Sequence, residues 1–469
     1  MKNTDKEKKG HAALIVIIAV AIVAGVSLLP LEKLSDGIVG DFSLVSDIIH
    51  DSLKTEVEDE DPKVEIDPEL AQMMKADTVA SGNIVMSDSV SECIPDSIPP
   101  AVIVERTESG ILPIEDYTTD GKGAYRLRQA IASGRFARIA IVGDSYIEGD
   151  IFSQNVREKL QSLYGGAGVG YVNMYSEFPG FRRSVKQSGK GWTAHIAGKK
   201  GTSREYLGLS ESYFTVEGNA WSQYKGTQSL AHLSEWDVSR FLFVASASAN
   251  ITASINGVAT AYPVSASDSV QEIRIVTPAT SDFKVSVNSS AVKGLGVWLD
   301  SSAGVGVDCM SSRGFSGLTL ASISEELCSQ MRAFVNYDLI ILEFGINAMA
   351  PNQKKFTVYS SKMAEVVEHV RKCYPESDIL LMGIGDRGQK RSGVVKSMNS
   401  VPYMIDAQRQ TARKTRCLFW DTRAAMGGED AIVDWANSGR ANKDYIHLTH
   451  KGGEVLAEEF VNALKLQLQ

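Results

Sequence analysis

The chain of 469 residues has few cysteines and no excess of basic residues. No two of its five cysteines form a CxxC pair, which excludes a disulfide-rich framework and gives no sign of a cysteine zinc site. The 48 basic residues are outnumbered by 57 acidic ones, and the net charge of -9 argues against a dedicated nucleic-acid-binding protein. The seven histidines do not cluster at the spacing of metal ligands. We therefore expect no metal ion, no other cofactor and no nucleic-acid partner.

The remaining composition is that of a globular protein. Apolar residues make up 43% of the chain and charged residues 22%, which is enough for a sizeable hydrophobic core. This balance excludes a wholly disordered chain and a protein that spans the membrane many times. The length allows two or three domains.

The N-terminal segment has the pattern of a membrane anchor. Four lysines precede an uncharged run over residues 12–29, which as a helix rises about 27 Å, close to the thickness of the hydrocarbon layer. We expect a cytoplasmic tail at 1–11 and a transmembrane helix at 12–30 in the inner membrane, with the rest of the chain in the periplasm or otherwise outside the cytoplasm. A cleaved signal peptide is the alternative, although the flank offers no good small-x-small cleavage site. Residues 31–110 carry an acidic cluster and scattered prolines, which predicts a flexible spacer.

Apolar runs alternate with helical patterns in residues 111–170 and again in residues 301–469. The run at 137–142 ends in Gly143-Asp144-Ser145, and the run at 337–344 ends in Gly345-Ile346-Asn347. The alternation predicts one α/β domain with a parallel sheet, in two parts. Ligands of open parallel sheets bind at the carboxyl ends of the strands, where these two motifs lie.

Residues 171–300 differ in character from both flanks. They are rich in Ser, Thr, Val and Ala and contain short strand-like runs, with an Asn256-Gly257 hairpin turn between two of them. The pattern predicts a β-sandwich or jelly roll inserted into the α/β domain. Six basic residues between 182 and 200 have two interpretations, a solvated loop, which we expect, or a surface for an anionic glycan.

The candidate chemistry is that of an activated serine. A serine hydroxyl needs a base before it becomes a good nucleophile. His447 is preceded by Asp444, and an acid three residues before a histidine can accept from Nδ1–H and leave Nε2 free to take the proton of Ser145. The developing oxyanion needs fixed donors. The side chain of Asn347 and the glycine loop around Gly314 are the candidates.

Four blocks in this order resemble the SGNH, or GDSL-type, hydrolases. They are Gly143-Asp144-Ser145, Arg313-Gly314-Phe315-Ser316-Gly317, Gly345-Ile346-Asn347 and Asp444-x-x-His447. The resemblance implies a three-layer α/β/α fold, with Ser145 as nucleophile, His447 as base and Asp444 as its orienting acid. It also implies oxyanion donors from the N–H groups of Ser145 and Gly314 and from the Asn347 side chain. Ala348 departs from the family, which usually has Asp after the Asn.

The layout, with a β-rich insertion before Gly314, resembles bacterial peptidoglycan O-acetylesterases in particular. We therefore expect a membrane-anchored esterase that removes O-acetyl groups from a cell-wall glycan, above all peptidoglycan. Its expected partners are the O-acetylated glycan and the inner membrane. Two alternatives remain open. One is a polysaccharide O-acetyltransferase or lipid-directed esterase of the same family, and the other is a non-catalytic glycan-binding protein.

Overall fold

The computed structural model describes residues 105–469. The predicted tail, the predicted membrane helix and nearly all of the predicted spacer lie outside the described residues. Between residues 105 and 469 no helix has the length and apolar character needed to cross a membrane.

The strands of the described residues are numbered here in chain order. They are β1 (Glu115–Asp116), β2 (Ala137–Gly143), β3 (Gly170–Val172), β4 (Lys186–Ile196), β5 (Ser212–Lys225), β6 (Trp236–Ala245), β7 (Ala249–Ile255), β8 (Val258–Val264), β9 (Ser267–Thr280), β10 (Asp282–Val287), β11 (Val292–Asp300), β12 (Val305–Ser311), β13 (Leu339–Glu343), β14 (Asp378–Met382), β15 (Gly388–Arg391), β16 (Val394–Ser397) and β17 (Leu418–Trp420). The α-helices are α1 (Tyr125–Ala132), α2 (Ser153–Tyr164), α3 (Glu325–Arg332), α4 (Thr357–Cys373), α5 (Val401–Thr415), α6 (Thr422–Met426), α7 (Ala431–Asn437) and α8 (His450–Gln467).

The central sheet has the strand order β1-β17-β14-β13-β2-β12. All neighbours in it run parallel except the edge strand β1, which pairs antiparallel with β17. Every residue of β2 and β13 is buried, as is typical of parallel strands covered on both faces. The chain places β12 on one side of β2 and then β13 on the other, so the order reverses at β2. The predicted α/β domain with a parallel sheet is confirmed, while the three-layer arrangement stays a prediction.

The strands between β2 and β12 form a second, antiparallel sheet. Its order is β8-β7-β10-β5-β11-β6-β9, with β3 paired to β11 and β4 paired to β5. Its buried side chains divide between two hydrophobic cores. One part forms a core within the insertion, while another part, including Leu242 and Trp298, belongs to the core of the central sheet. Asn256 and Gly257, both at positive φ, make the predicted turn between β7 and β8. The sandwich or jelly-roll architecture and the predicted domain boundaries stay predictions.

One sequence expectation for this region is wrong. The basic stretch between 182 and 200 is not mainly a solvated loop, because residues 186–196 form β4 along ten residues of β5. The stretch alternates exposed and half-buried side chains, and Trp192 is buried. Its lysines mask the strand pattern because they occupy the exposed positions of a half-buried strand.

A buried cluster around Asp308 of β12 joins the two sheets. Its carboxylate accepts hydrogen bonds from Trp298 Nε1 at 2.7 Å, from the Tyr337 hydroxyl at 2.8 Å and from the Tyr171 N–H at 3.0 Å. Arg138 of β2 pairs with the same carboxylate at 3.1 Å. Because Trp298 and Tyr171 belong to the inserted sheet, this cluster fixes the insertion against the central sheet.

Candidate active site

Ser145 follows the carboxyl end of β2, where the order of the parallel sheet reverses. At Gly143 the chain passes very close to β13. A Cβ atom there would lie 2.6 Å from the carbonyl oxygen of Glu343, to which the Asp144 N–H donates at 3.2 Å. Glycine permits this approach. The turn thus presents Ser145 at the edge of the sheet where open α/β proteins bind their ligands.

His447 and Asp444 lie in the loop before α8, and hydrogen bonds to the backbone fix that loop. Asp444 Oδ1 accepts from the N–H of Ile446 at 2.9 Å and from the N–H of His447 at 3.0 Å. At the end of the loop, the Thr449 hydroxyl caps α8 by accepting from the Gly452 N–H at 3.2 Å. The loop therefore has a defined backbone on both sides of the histidine.

Ser145, His447 and Asp444 form a continuous hydrogen-bonded series. Ser145 Oγ lies 3.0 Å from His447 Nε2, and His447 Nδ1 lies 2.8 Å from Asp444 Oδ2. Burial raises the pKa of Asp444, but hydrogen bonds from the His447 ring and from two backbone N–H groups outweigh it, so the pKa lies below its ordinary value. An ionised Asp444 holds the proton on Nδ1 and leaves the Nε2 lone pair toward Ser145.

Two backbone N–H groups close to this series are unused. Among residues 105–469, the N–H groups of Ser145 and Gly314 have no hydrogen-bond partner. Gly314 lies in a turn that is fixed beside the end of β2, because the Ser312 N–H donates to the Gly143 carbonyl at 2.8 Å. Its φ of +79° favours glycine. Such free N–H groups are suitable donors for an oxyanion.

The amide of Asn347 is in the site but is already engaged. Its Nδ2 donates to Asp144 Oδ2 and to the Phe315 carbonyl, both at 3.0 Å. A third oxyanion donor from Asn347 therefore requires one of these bonds to be exchanged for the substrate oxygen. Arg387 Nη1 donates to the Ile346 carbonyl at 2.7 Å and supports the loop that carries Asn347.

A pair of buried carboxyl groups lies behind Ser145. Asp144 Oδ1 accepts from the Tyr146 N–H at 2.9 Å, and burial raises the pKa of Asp144 to about 7 despite that bond and the charges of His447 and Arg387. Glu343 ends β13, is 1% exposed, and neither of its carboxyl oxygens has a partner among the described residues. Burial and the nearby Asp144 raise the pKa of Glu343 well above its ordinary value.

Sequence reasoning singled out neither Glu343 nor Arg387. The signal for Glu343 was present, because it is the lone acidic residue at the end of an otherwise apolar strand. Nothing in the local sequence indicates that Arg387, which is 6% exposed, supports the Asn347 loop.

The described part of the chain contains four cysteines and no cluster of possible metal ligands. Cys309, Cys328, Cys373 and Cys417 are buried free thiols, while Cys93 lies outside the described residues. Within residues 105–469, no three His, Cys, Asp or Glu side chains are grouped so that they could hold a metal ion.

Among the comparisons with known proteins, one solved structure agrees with this fold. No protein-family model matches the sequence, and no curated protein matches it. A solved structure described as a peptidoglycan O-acetylesterase aligns with 76% of this chain and 99% of its own, at 22% identity and a TM-score of 0.62. A family two carbohydrate esterase from Cellvibrio japonicus aligns with 61% of this chain and 98% of its own, at 10% identity and a TM-score of 0.27. A GDSL-like lipase from Parabacteroides merdae aligns with 34% of this chain and 74% of its own, at 14% identity and a TM-score of 0.27. With its TM-score of 0.62, the first of these structures shares the fold of this chain.

Proposed function

We propose that the chain is a serine esterase that removes O-acetyl groups from a cell-wall glycan, with peptidoglycan as its principal substrate. One observation carries the proposal. Ser145, His447 and Asp444 form a hydrogen-bonded series of 3.0 and 2.8 Å at the ligand-binding edge of the sheet. A protein that only binds glycans has no need of an activated serine there.

The first half of the reaction acetylates Ser145. Its Oγ attacks the carbonyl carbon of the acetyl ester while His447 Nε2 takes the hydroxyl proton. The negative charge then develops on the former carbonyl oxygen, for which the N–H groups of Ser145 and Gly314 are available. When this intermediate collapses, the sugar oxygen leaves and takes the proton from His447.

The second half returns the free enzyme. Water attacks the acetyl-serine carbonyl, again with His447 as the base, and the same two N–H groups bind the oxyanion. Acetate leaves as Ser145 Oγ takes back the proton. Asp444 stays ionised throughout and stabilises the imidazolium form of His447 in both halves.

The choice of substrate is supported by likeness of fold. The solved structure that shares this fold over 76% of the chain is described as a peptidoglycan O-acetylesterase. A substrate outside the cytoplasm also fits the lysine-flanked apolar segment at 12–30, which we propose anchors the enzyme in the inner membrane with its catalytic domain in the periplasm.

Acetate release from isolated cell wall tests the substrate. The purified chain is incubated with O-acetylated peptidoglycan, with the same material after alkaline removal of the esters, and with acetylated xylan. We expect acetate from the first substrate, none from the second, and a clearly lower kcat/KM for the third. Equal rates on peptidoglycan and xylan would contradict the choice of peptidoglycan.

A reporter fusion tests the location. A reporter that is active only outside the cytoplasm, fused after residue 110, should be active in cells. Activity only of a cytoplasmic reporter at that position would contradict the proposed topology and, with it, a cell-wall substrate.

A further inference from the structure

A cleft of about 660 Å³ lies between the inserted sheet and two segments that neighbour the candidate site residues in the sequence. One wall contains Ser311 and Arg313, next to Gly314, and the 148–150 turn that follows Ser145. The other wall comes from the insertion, chiefly residues 171–187, 210 and 212. The cleft thus connects the catalytic edge with the β-rich insertion, and its volume suits several sugar-sized groups.

Two phenylalanines of this wall are exposed. Phe178 is 71% exposed and Phe181 is 44% exposed, and both lie at the turn Pro179–Phe181. The Phe181 ring packs against Gly149, which lies in the turn that follows Ser145. A Cβ atom on Gly149 would lie 2.7 Å from two of the ring carbons. Exposed aromatic side chains at a concave site commonly mark a binding surface. The C–H face of a pyranose ring is an apolar surface of matching size.

The charged residues that line the cleft are already paired with one another. Arg313 and Glu148 are 2.7 Å apart, and Arg182 lies 3.1 Å from Asp150, which also pairs with the buried Arg157. The other polar lining groups are uncharged, namely Asn173, Ser176, Gln187, Ser210, Ser212 and Ser311. The lining therefore has no unpaired cation to offer a carboxylate, while hydroxyl and amide groups are available to neutral sugars.

We propose that this cleft binds the sugar chain beside the acetylated unit, and that an uncharged pyranose stacks on Phe178 and Phe181. The inference rests on the proposed esterase function, which places the acetylated sugar at Ser145. The sugar chain then extends from Ser145 toward the insertion. The ligand is assigned as an uncharged sugar because the lining of the cleft has no unpaired cation. A carboxylate-bearing sugar is disfavoured at this position because it would be desolvated without a free positive partner.

Binding of unesterified sugars tests the inference without requiring catalysis. Calorimetry with the full chain in the Ser145→Ala form uses the uncharged tetramer of N-acetylglucosamine and, as its charged counterpart, the tetramer of galacturonic acid. We expect the neutral tetramer to bind and the charged one to bind about tenfold more weakly or not at all. Equal or tighter binding of the charged tetramer would overturn the inference.

Substitution locates the binding. Phe178→Ala combined with Phe181→Ala should weaken binding of the neutral tetramer by about tenfold or more, because two stacking surfaces are lost. Tyr125→Ala, which removes an exposed aromatic side chain outside the cleft, is the matched control and should bind like the parent. An unchanged affinity in the double variant would overturn the inference.

The two proposals can fail separately. Acetate release by the wild-type chain without any binding of the neutral tetramer would refute the cleft and leave the esterase function standing. Binding of the tetramer that depends on both phenylalanines, in a chain that releases no acetate, would refute the esterase function and support the cleft.

Discussion

Replacing Asp144 by asparagine removes a carboxyl group that is fully buried behind Ser145. In the folded chain the pKa of this group rises from 3.8 to about 7, so the folded state holds a proton that the unfolded chain has already lost. Between these two values the free energy of unfolding falls as the pH rises, because the folded state binds more protons. At about 1.4 kcal/mol per pKa unit, the full effect is about 4 kcal/mol.

About 3 of these 4 kcal/mol fall between about pH 5 and about pH 8. The wild-type chain should lose that amount relative to Asp144→Asn over this range. The variant has an NH2 group, which accepts no hydrogen bond, in place of one of the two oxygens that accept from Tyr146 N–H and Asn347 Nδ2. This costs about 1–3 kcal/mol whether Asp144 of the wild type is protonated or ionised. We therefore expect the variant to be less stable than the wild type at about pH 5. As the pH rises to about 8, the free energy of unfolding of the wild type should fall relative to that of the variant.

The assay is urea unfolding at a series of pH values, followed by the fluorescence of the six tryptophans. Asp268→Asn, which changes an exposed carboxylate of the insertion, is the control and should follow the wild type. The reasoning is refuted if Asp144→Asn and wild type show parallel pH dependence, because Asp144 would then titrate alike in the folded and unfolded chains.

Three further changes test the site and its support. Asp444→Asn should lower kcat for a small acetate ester by about 10²-fold or more with little change in KM, because His447 loses the acceptor that holds its Nδ1 proton; an unchanged kcat would contradict the role. Gly143→Ala should cost about 1–3 kcal/mol in thermal or urea unfolding, since its Cβ would lie 2.6 Å from a backbone oxygen of β13; wild-type stability would contradict that close approach. Asp308→Ala should cost about 3–5 kcal/mol, because it leaves several buried donors without an acceptor and removes a partner of Arg138; a loss below about 1 kcal/mol would show that the cluster does not join the sheets.

The parallel strands were predictable because their pattern is local. Residues 137–142 and 339–342 are short, largely apolar runs, and burial on both faces favours that pattern. Because ligands bind at the carboxyl edge of such a sheet, the motifs at the ends of these two runs could be identified as candidate site residues. The Asn256-Gly257 turn was predictable for a similar reason, since both of its residues take positive φ.

The long strands of the insertion were harder to recognise. In β4, exposed side chains alternate with partly buried ones, and in much of β5 partly buried side chains alternate with fully buried ones. β4 also contains glycines and a register shift beside Gly191. Such half-buried strands carry no apolar run. Their pairing depends on partners far along the chain and not on local pattern.

The surroundings of the serine could not be predicted for the same reason. The bond between Asn347 and Asp144 spans 203 residues, and it depends on the register of β2 against β13. That register also buries Glu343 beside Asp144, which no local signal in either segment specifies. The residues of the candidate triad could therefore be proposed from motifs, whereas the hydrogen bonds that already engage Asn347 could not be predicted.

The central claim is that Ser145 is the nucleophile of an esterase. Its most direct test is the rate of acetate release from a small acetate ester by the wild-type chain, by Ser145→Ala and by Ser162→Ala, which changes an exposed serine of α2. We predict that Ser145→Ala abolishes the activity while its circular dichroism spectrum stays that of the wild type, and that Ser162→Ala keeps full activity. Full activity in a folded Ser145→Ala variant would contradict the account.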